Sequence, residues 1–229
     1  MANDMTTAST GTAVATAGTA NAFEAYAQAT NKNTIVGDLL KFSKGEYLAG
    51  QNADEVAIGT RMVAIMGEMM VGWVKWEGGK PADMRMGRLA DSFVPPTRAT
   101  LGDTDQALWE VDEQTGKPRD PWQLSNYLIL KDEKSDKLYT FTTSSKGGMG
   151  ALGKVAGAYG KNIRMKPDDY PVITLGKDKY KHPNAAYGWI HTPKFDVVGW
   201  ADRKAVDALL RSEVAEAEKR KEESDDVPF

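Results

Sequence analysis

Cysteine is absent from this chain. That excludes a disulfide framework, thiol catalysis and any cysteine-ligated zinc. Histidine is nearly absent: His182 and His191 are the only two, and neither has a nucleophile at a recognisable spacing. Asp168 and Asp169 are adjacent but have no partner histidine, so no catalytic residue, metal site or cofactor is expected. Long apolar runs are also missing, and each falls far short of the roughly 20 residues that span a bilayer. Residues 1–20 lack the basic start and leucine-rich core of an export signal, and threonines and glycines interrupt every apolar run. The expectation is a soluble, cytoplasmic protein that does not enter a membrane.

What the chain does contain is enough for one sizeable core among 229 residues. Residues 1–32 form an Ala/Thr/Gly/Asn-rich leader with too few bulky side chains to offset the entropy of ordering them, so disorder is expected there. Structure is expected from Asn33. The run Thr60 to Met66 and Met69 to Trp76 is β-branched and aromatic-rich and favours strands. Glu77 to Pro81 then reads as a reverse turn, and Phe93 to Pro121 as a long surface loop. Trp122 to Lys131 and Leu138 to Ser144, joined by Asp132 to Asp136, read as a hairpin. Leu152, Val155, Ala156 and Tyr159 recur at helical spacing within Met149 to Gly160. Two strands follow, Tyr170 to Gly176 and Trp189 to Trp200. The pattern predicts a mainly β fold: an OB-fold-like small antiparallel barrel over residues 33–200 with one inserted helix. A helix or linker over 201–221, with Asp202 able to cap it, then leads to an acidic tip at 222–229.

Charge is informative once divided along the chain. Its overall net value is -3, yet Ser144 to Lys194 holds nine basic residues against three acids, a local +6. Arg211 to Phe229 holds seven acids against four bases. A basic half and an acidic tail therefore share one polypeptide, the electrostatic half of a nucleic-acid signature.

The last residues, Asp225, Asp226, Val227, Pro228 and Phe229, have a physical reading of their own. Phe229 offers an aromatic anchor beside a carboxylate, which one apolar pocket with an arginine can grip. Pro228 lowers the ordering cost, and the two aspartates attract a basic rim. This segment resembles the C-terminal tip of bacterial single-stranded-DNA-binding proteins. The resemblance covers about six residues. It implies recruitment of replication and repair proteins: a clamp-loader accessory subunit, a single-strand exonuclease, a recombination mediator and a restart helicase. The body is similar to uncharacterised tailed-phage and prophage proteins through Asn33 to Gly50, Trp109 to Trp122 and Thr140 to Gly148, which implies a phage setting.

Single strands are held by basic grooves with aromatic platforms, because every phosphate carries charge and every base has a stackable face. The candidate platforms and bases are Trp73, Lys75, Trp76, Trp122, Tyr127, Tyr139 and Phe141. Lys146, Lys154, Lys161 and Arg164 are candidates to line the groove, and Tyr187 and Trp189 are candidates for exposed stacking. The sequence reading is a single-stranded-DNA-binding protein of phage-type replication or recombination, not an enzyme. Homo-oligomerisation stays open. One alternative is an adaptor that captures host replication proteins through the tip without binding DNA. Another is a nucleotide-dependent enzyme using Gly148 to Lys154. That segment fits a dinucleotide fingerprint and most of a P-loop, but Val155 stands where magnesium needs Ser or Thr.

Overall fold

A computed structural model of the chain describes residues 35–112, 116–185 and 188–225. Among the described residues ten strands form one sheet: β1 Asp38–Ser43, β2 Glu46–Ala49, β3 Asp54–Val56, β4 Arg61–Ala64, β5 Met70–Glu77, β6 Lys80–Arg88, β7 Trp122–Asp132, β8 Leu138–Thr143, β9 Asp169–Lys181 and β10 Trp189–Asp202. The described helices are α1 Lys146–Asn162 and α2 Arg203–Asp225. The strand order is β10-β9-β4-β7-β8-β1-β2-β3, with the β5–β6 hairpin branching from β7. β1 pairs with β8 in parallel, and the other pairings are antiparallel.

The branch has a local cause. β4 and β5 run in line along the same edge of β7, β4 beside Leu130 to Asp132 and β5 beside Trp122 to Tyr127. A 3-10 turn at Met66–Glu68 separates them, while the Ile65 amide donates to the Ile129 carbonyl and bridges the break. At Gly72 (φ 152°) the β6 backbone approaches so closely that a Cβ would stand 2.2 Å from the Arg85 carbonyl oxygen, so the antiparallel pairing at this point needs glycine.

The sheet curls strongly into a half-barrel. Tyr47 on β2 shows how far: its hydroxyl donates to the Gly176 carbonyl on β9, at 2.8 Å. Its ring packs between Phe42, Phe141 and Phe195, with centroids 4.9, 6.3 and 6.1 Å away. Leu40, Leu128, Leu130, Ile173 and Leu175 fill the same core. α1 adds Leu152 and Val155, and α2 adds Val206 and Leu210. No described helix is long and apolar enough to cross a membrane.

The mainly β expectation, a small curled barrel with a helix, matches this architecture. The β7–β8 hairpin, α1 and β10 lie where the apolar patterns put them. Four features differ. β2 and β3 are strands to which the sequence pattern assigned no element, and β6 carries no strand signal because Lys80-Pro81-Ala82-Asp83-Met84-Arg85 has no β-branched residue. β9 runs on to Lys181, five residues past the apolar segment, because β10 supplies its hydrogen bonds. α2 extends to Asp225 and so includes Glu222 to Asp225 of the segment expected as an acidic tip. The leader at residues 1–32 and the tip residues Asp226, Val227, Pro228 and Phe229 lie outside the described residues.

Candidate nucleic-acid interface

The sequence-predicted binding residues divide into four places. Trp73, Lys75 and Trp122 do come together: β5 and β7 pair Trp73 with Leu124 and Lys75 with Trp122, which puts all three on one sheet face. That face is roofed by the segment between β6 and β7. The Trp73 indole donates to the Pro96 carbonyl at 2.8 Å. The Trp122 indole donates to Asp103 Oδ2 at 2.9 Å, and Lys75 Nζ pairs with Asp103 at 3.2 Å and Glu77 at 2.8 Å. The indole of Trp122 and the ammonium of Lys75 hold the Asp103 carboxyl below its ordinary pKa, and hydrogen bonds to Glu77 and Asp103 raise that of Lys75.

Arg98 ties the roof together. Its guanidinium donates to both Asp120 oxygens, the shortest contacts at 2.8 Å, to the Gly102 carbonyl at 2.6 Å and to the Asp103 carbonyl at 2.9 Å. The Trp109 indole donates to the same Asp103 carbonyl at 2.8 Å. These residues are thus the floor of a stapled loop, and the expectation that Trp122 stacks on bases is corrected: it is 4% exposed. Trp76 and Tyr127 are half-buried. The Trp76 indole nitrogen is buried with no hydrogen-bond partner among the described residues, and burial raises the Tyr127 hydroxyl pKa.

Tyr139 and Phe141 are the second place, and they too are corrected. Both are buried, Phe141 completely. The reason is position: β8 lies between β7 and β1, and Leu138, Tyr139, Thr140 and Phe141 are buried in succession, so both of its faces are covered. Alternation along a strand reveals a solvent face only when one face is free.

In the third place, α1 and its exit, Lys146, Lys154, Lys161 and Arg164 are exposed, and none forms an ion pair among the described residues. The glycines at the start of α1 have a packing role. A Cβ on Gly148 would stand 2.0 Å from Thr143 Oγ1, and one on Gly147 2.6 Å from Thr192 Cγ2. Ser145 caps the helix by accepting from the Gly148 amide at 3.0 Å. Gly148 to Lys154, offered as a phosphate loop, is helical throughout.

The fourth place is an arm. β4 flanks β9 only from Val172 to Thr174, and Gly59 and Thr60 hold the Leu175 backbone. Beyond that, Gly176 to Lys181 pairs with β10 alone, extending about 20 Å. Register pairs Lys181 with Trp189, Lys179 with His191 and Lys177 with Pro193. Directly opposed residues share a face, so three lysines, His191 and Trp189 line one side of the ribbon. Tyr180 and Ile190 line the other. Trp189 is 58% exposed, and Lys179 Nζ lies 5.0 Å from its ring centroid, a cation–π contact. Of this group the sequence reading singled out only Trp189. The missed signal was the spacing of Lys177, Lys179 and Lys181 at i, i+2 and i+4, a one-sided strand. Tyr187 lies outside the described residues.

Among the described residues no three His, Asp or Glu side chains converge on a possible metal site. No protein-family model, curated protein or solved structure matches the chain.

Proposed function

We propose that this chain binds single-stranded DNA in a phage-type replication or recombination system and recruits partner enzymes through its C-terminal tip. The observation that carries the DNA reading is the arm: an exposed Trp189 beneath Lys179, with Lys177 and Lys181 on the same face and none of the three lysines in an ion pair among the described residues. An exposed indole supplies a stacking platform, and lysines two residues apart track a phosphate backbone. Lys146, Lys154, Lys161 and Arg164, exposed on and after α1, are a second group of cations with no ion pair among the described residues. The recruitment reading rests on Asp225 to Phe229, whose acids, aliphatic residue, proline and phenylalanine suit a basic-rimmed apolar pocket.

Fluorescence titration with single-stranded oligonucleotides tests the DNA reading. Salt-sensitive binding with quenching of Trp189 is expected, identified by comparison with Trp189→Phe. An absence of binding at low salt sinks it. The adaptor reading is favoured by one observation, the burial or roofing of Trp73, Trp122, Tyr139 and Phe141, which leaves fewer platforms than the sequence offers. A pull-down comparing the full chain with one lacking Asp225 to Phe229 measures partner capture apart from DNA affinity.

A further inference from the structure

The lysine face of the arm is continuous with the inner face of the barrel. Alternate residues of a strand share a side, so Lys181, Lys179, Lys177 and Leu175 of β9 line up. Register adds His191, Pro193 and Phe195 of β10 to the same side. Leu175 and Phe195 belong to the core. The change from solvent to interior falls between His191, which is exposed, and Pro193, which is buried. Further in, Tyr47 closes the passage: its hydroxyl donates to the Gly176 carbonyl at 2.8 Å, and its ring centroid lies 6.1 Å from that of Phe195. A strand following the lysines toward the barrel therefore cannot run on past Lys177 and has to leave the sheet there.

The β1–β2 turn, Lys44 and Gly45, stands at that point. Gly45 lies against the His191 ring: a Cβ on it would be 3.2 Å from His191 Cγ and Nδ1, and its φ is 94°, so glycine lets turn and ring meet. Lys44 precedes it, is exposed, and forms no ion pair among the described residues. Consecutive Cα atoms are about 3.8 Å apart, so the four-carbon stem of Lys44 can bring its ammonium to the His191 ring. Lys179 opposes His191 directly across the ribbon. A cation from the turn and a cation from the arm thus flank one exposed imidazole. Glu46, which follows Gly45 and opposes Ser43, is the carboxylate beside them in the chain.

We infer that the β1–β2 turn is the inner end of the strand-binding face: a single strand following the lysines of the arm leaves the sheet over Gly45 and sets a phosphate between Lys44 and Lys179, beside His191. The inference rests on the single-strand reading of the arm.

The test is an anisotropy titration of the full chain with oligo(dT) of about 15 nucleotides over a range of salt. Lys44→Gly removes the ammonium, and glycine accepts the φ of 52° found at this position without strain, so the variant should melt close to the natural chain. Its affinity should nevertheless fall about three- to tenfold at low salt, and the slope of log affinity against log salt by about 0.7, the value for one phosphate contact. Glu46→Gln removes the neighbouring carboxylate and should tighten binding about twofold, a change of opposite sign that a loss of structure would not produce. Unchanged affinity and salt slope in Lys44→Gly, alongside abolished binding in Lys177→Glu/Lys179→Glu/Lys181→Glu, overturns the turn as the inner end and leaves the arm standing. No binding by the natural chain overturns both.

Discussion

Two regions of this molecule carry the same local chemistry and differ in what faces them. The β5–β7 face sets Trp73, Lys75 and Trp122 side by side, and the β9–β10 arm sets Lys177, Lys179, Lys181 and Trp189 side by side. On the first, each polar group is already satisfied: Asp103 takes the Trp122 indole and the Lys75 ammonium, and Pro96 takes the Trp73 indole. On the second, the lysines form no ion pair with a carboxylate among the described residues, and the indole meets solvent. Interleaved aromatics and bases are therefore not enough to mark a binding surface. What decides is whether a distant segment has already supplied the acceptors that a nucleic acid would bring.

The comparison breaks first, and by the largest margin, at Trp122. Trp122→Ala removes a nearly fully buried ring and leaves Asp103 without its indole donor. It should cost about 3–5 kcal/mol of stability by chemical denaturation. The same variant, held below its unfolding temperature, should keep its oligonucleotide affinity. A loss of affinity in the folded variant would return the β5–β7 face to the binding surface.

Next comes the arm. Reversing Lys177, Lys179 and Lys181 to glutamate removes three cations and adds three anions, so affinity for single strands should fall by about two to three orders of magnitude at low salt. The slope of log affinity against log salt should fall by about 2, near 0.7 for each phosphate that the arm no longer neutralises. Stability should barely move, since these side chains are exposed beyond the core. Retained affinity would mean that α1 alone carries the charge.

How far such contrasts can be read from sequence depends on the range of the interaction. The β7–β8 hairpin, α1 and β10 were legible because apolar periodicity and turn residues act within a few positions. The roof was not, because the acceptors for Trp73 and Trp122 lie 23 and 19 residues away in the chain. Phe141 and Tyr139 were misplaced for a related reason: a strand covered on both faces shows no polar side to betray its burial. The glycines before Leu152 drew attention as a phosphate loop, yet Thr143 and Thr192 explain two of them by close packing. The arm was legible in principle, through the two-residue spacing of its lysines, but it belongs to a strand whose apolar half ends at Leu175. Its second half exists only because β10 pairs with it.

Individual tryptophans give a finer contrast. Trp189→Ala should weaken single-strand binding by about 1–3 kcal/mol, the range for losing one stacked base, and abolish most of the fluorescence quenching. Trp73→Ala should leave affinity unchanged while lowering the melting temperature, because its indole binds the roof and not a ligand. Equal losses of affinity from both would erase the distinction between the two regions.

The smallest effect lies in the acid response of the roof. Hydrogen bonds from Trp122 and Lys75 depress the Asp103 pKa in the folded chain. A depressed carboxylate stabilises the fold above its unfolded pKa, and that contribution disappears as pH falls through the lower folded value. The natural chain should therefore lose melting temperature on acidification below about pH 4. Asp103→Asn, which cannot ionise, should melt lower at neutral pH and follow a flatter curve through the acid range. Among the described residues no carboxylate pairs with the lysines of the arm, so the arm variant should retain the acid response of the natural chain. Parallel curves for Asp103→Asn and the natural chain would remove Asp103 as the group that fixes the roof on the β5–β7 face.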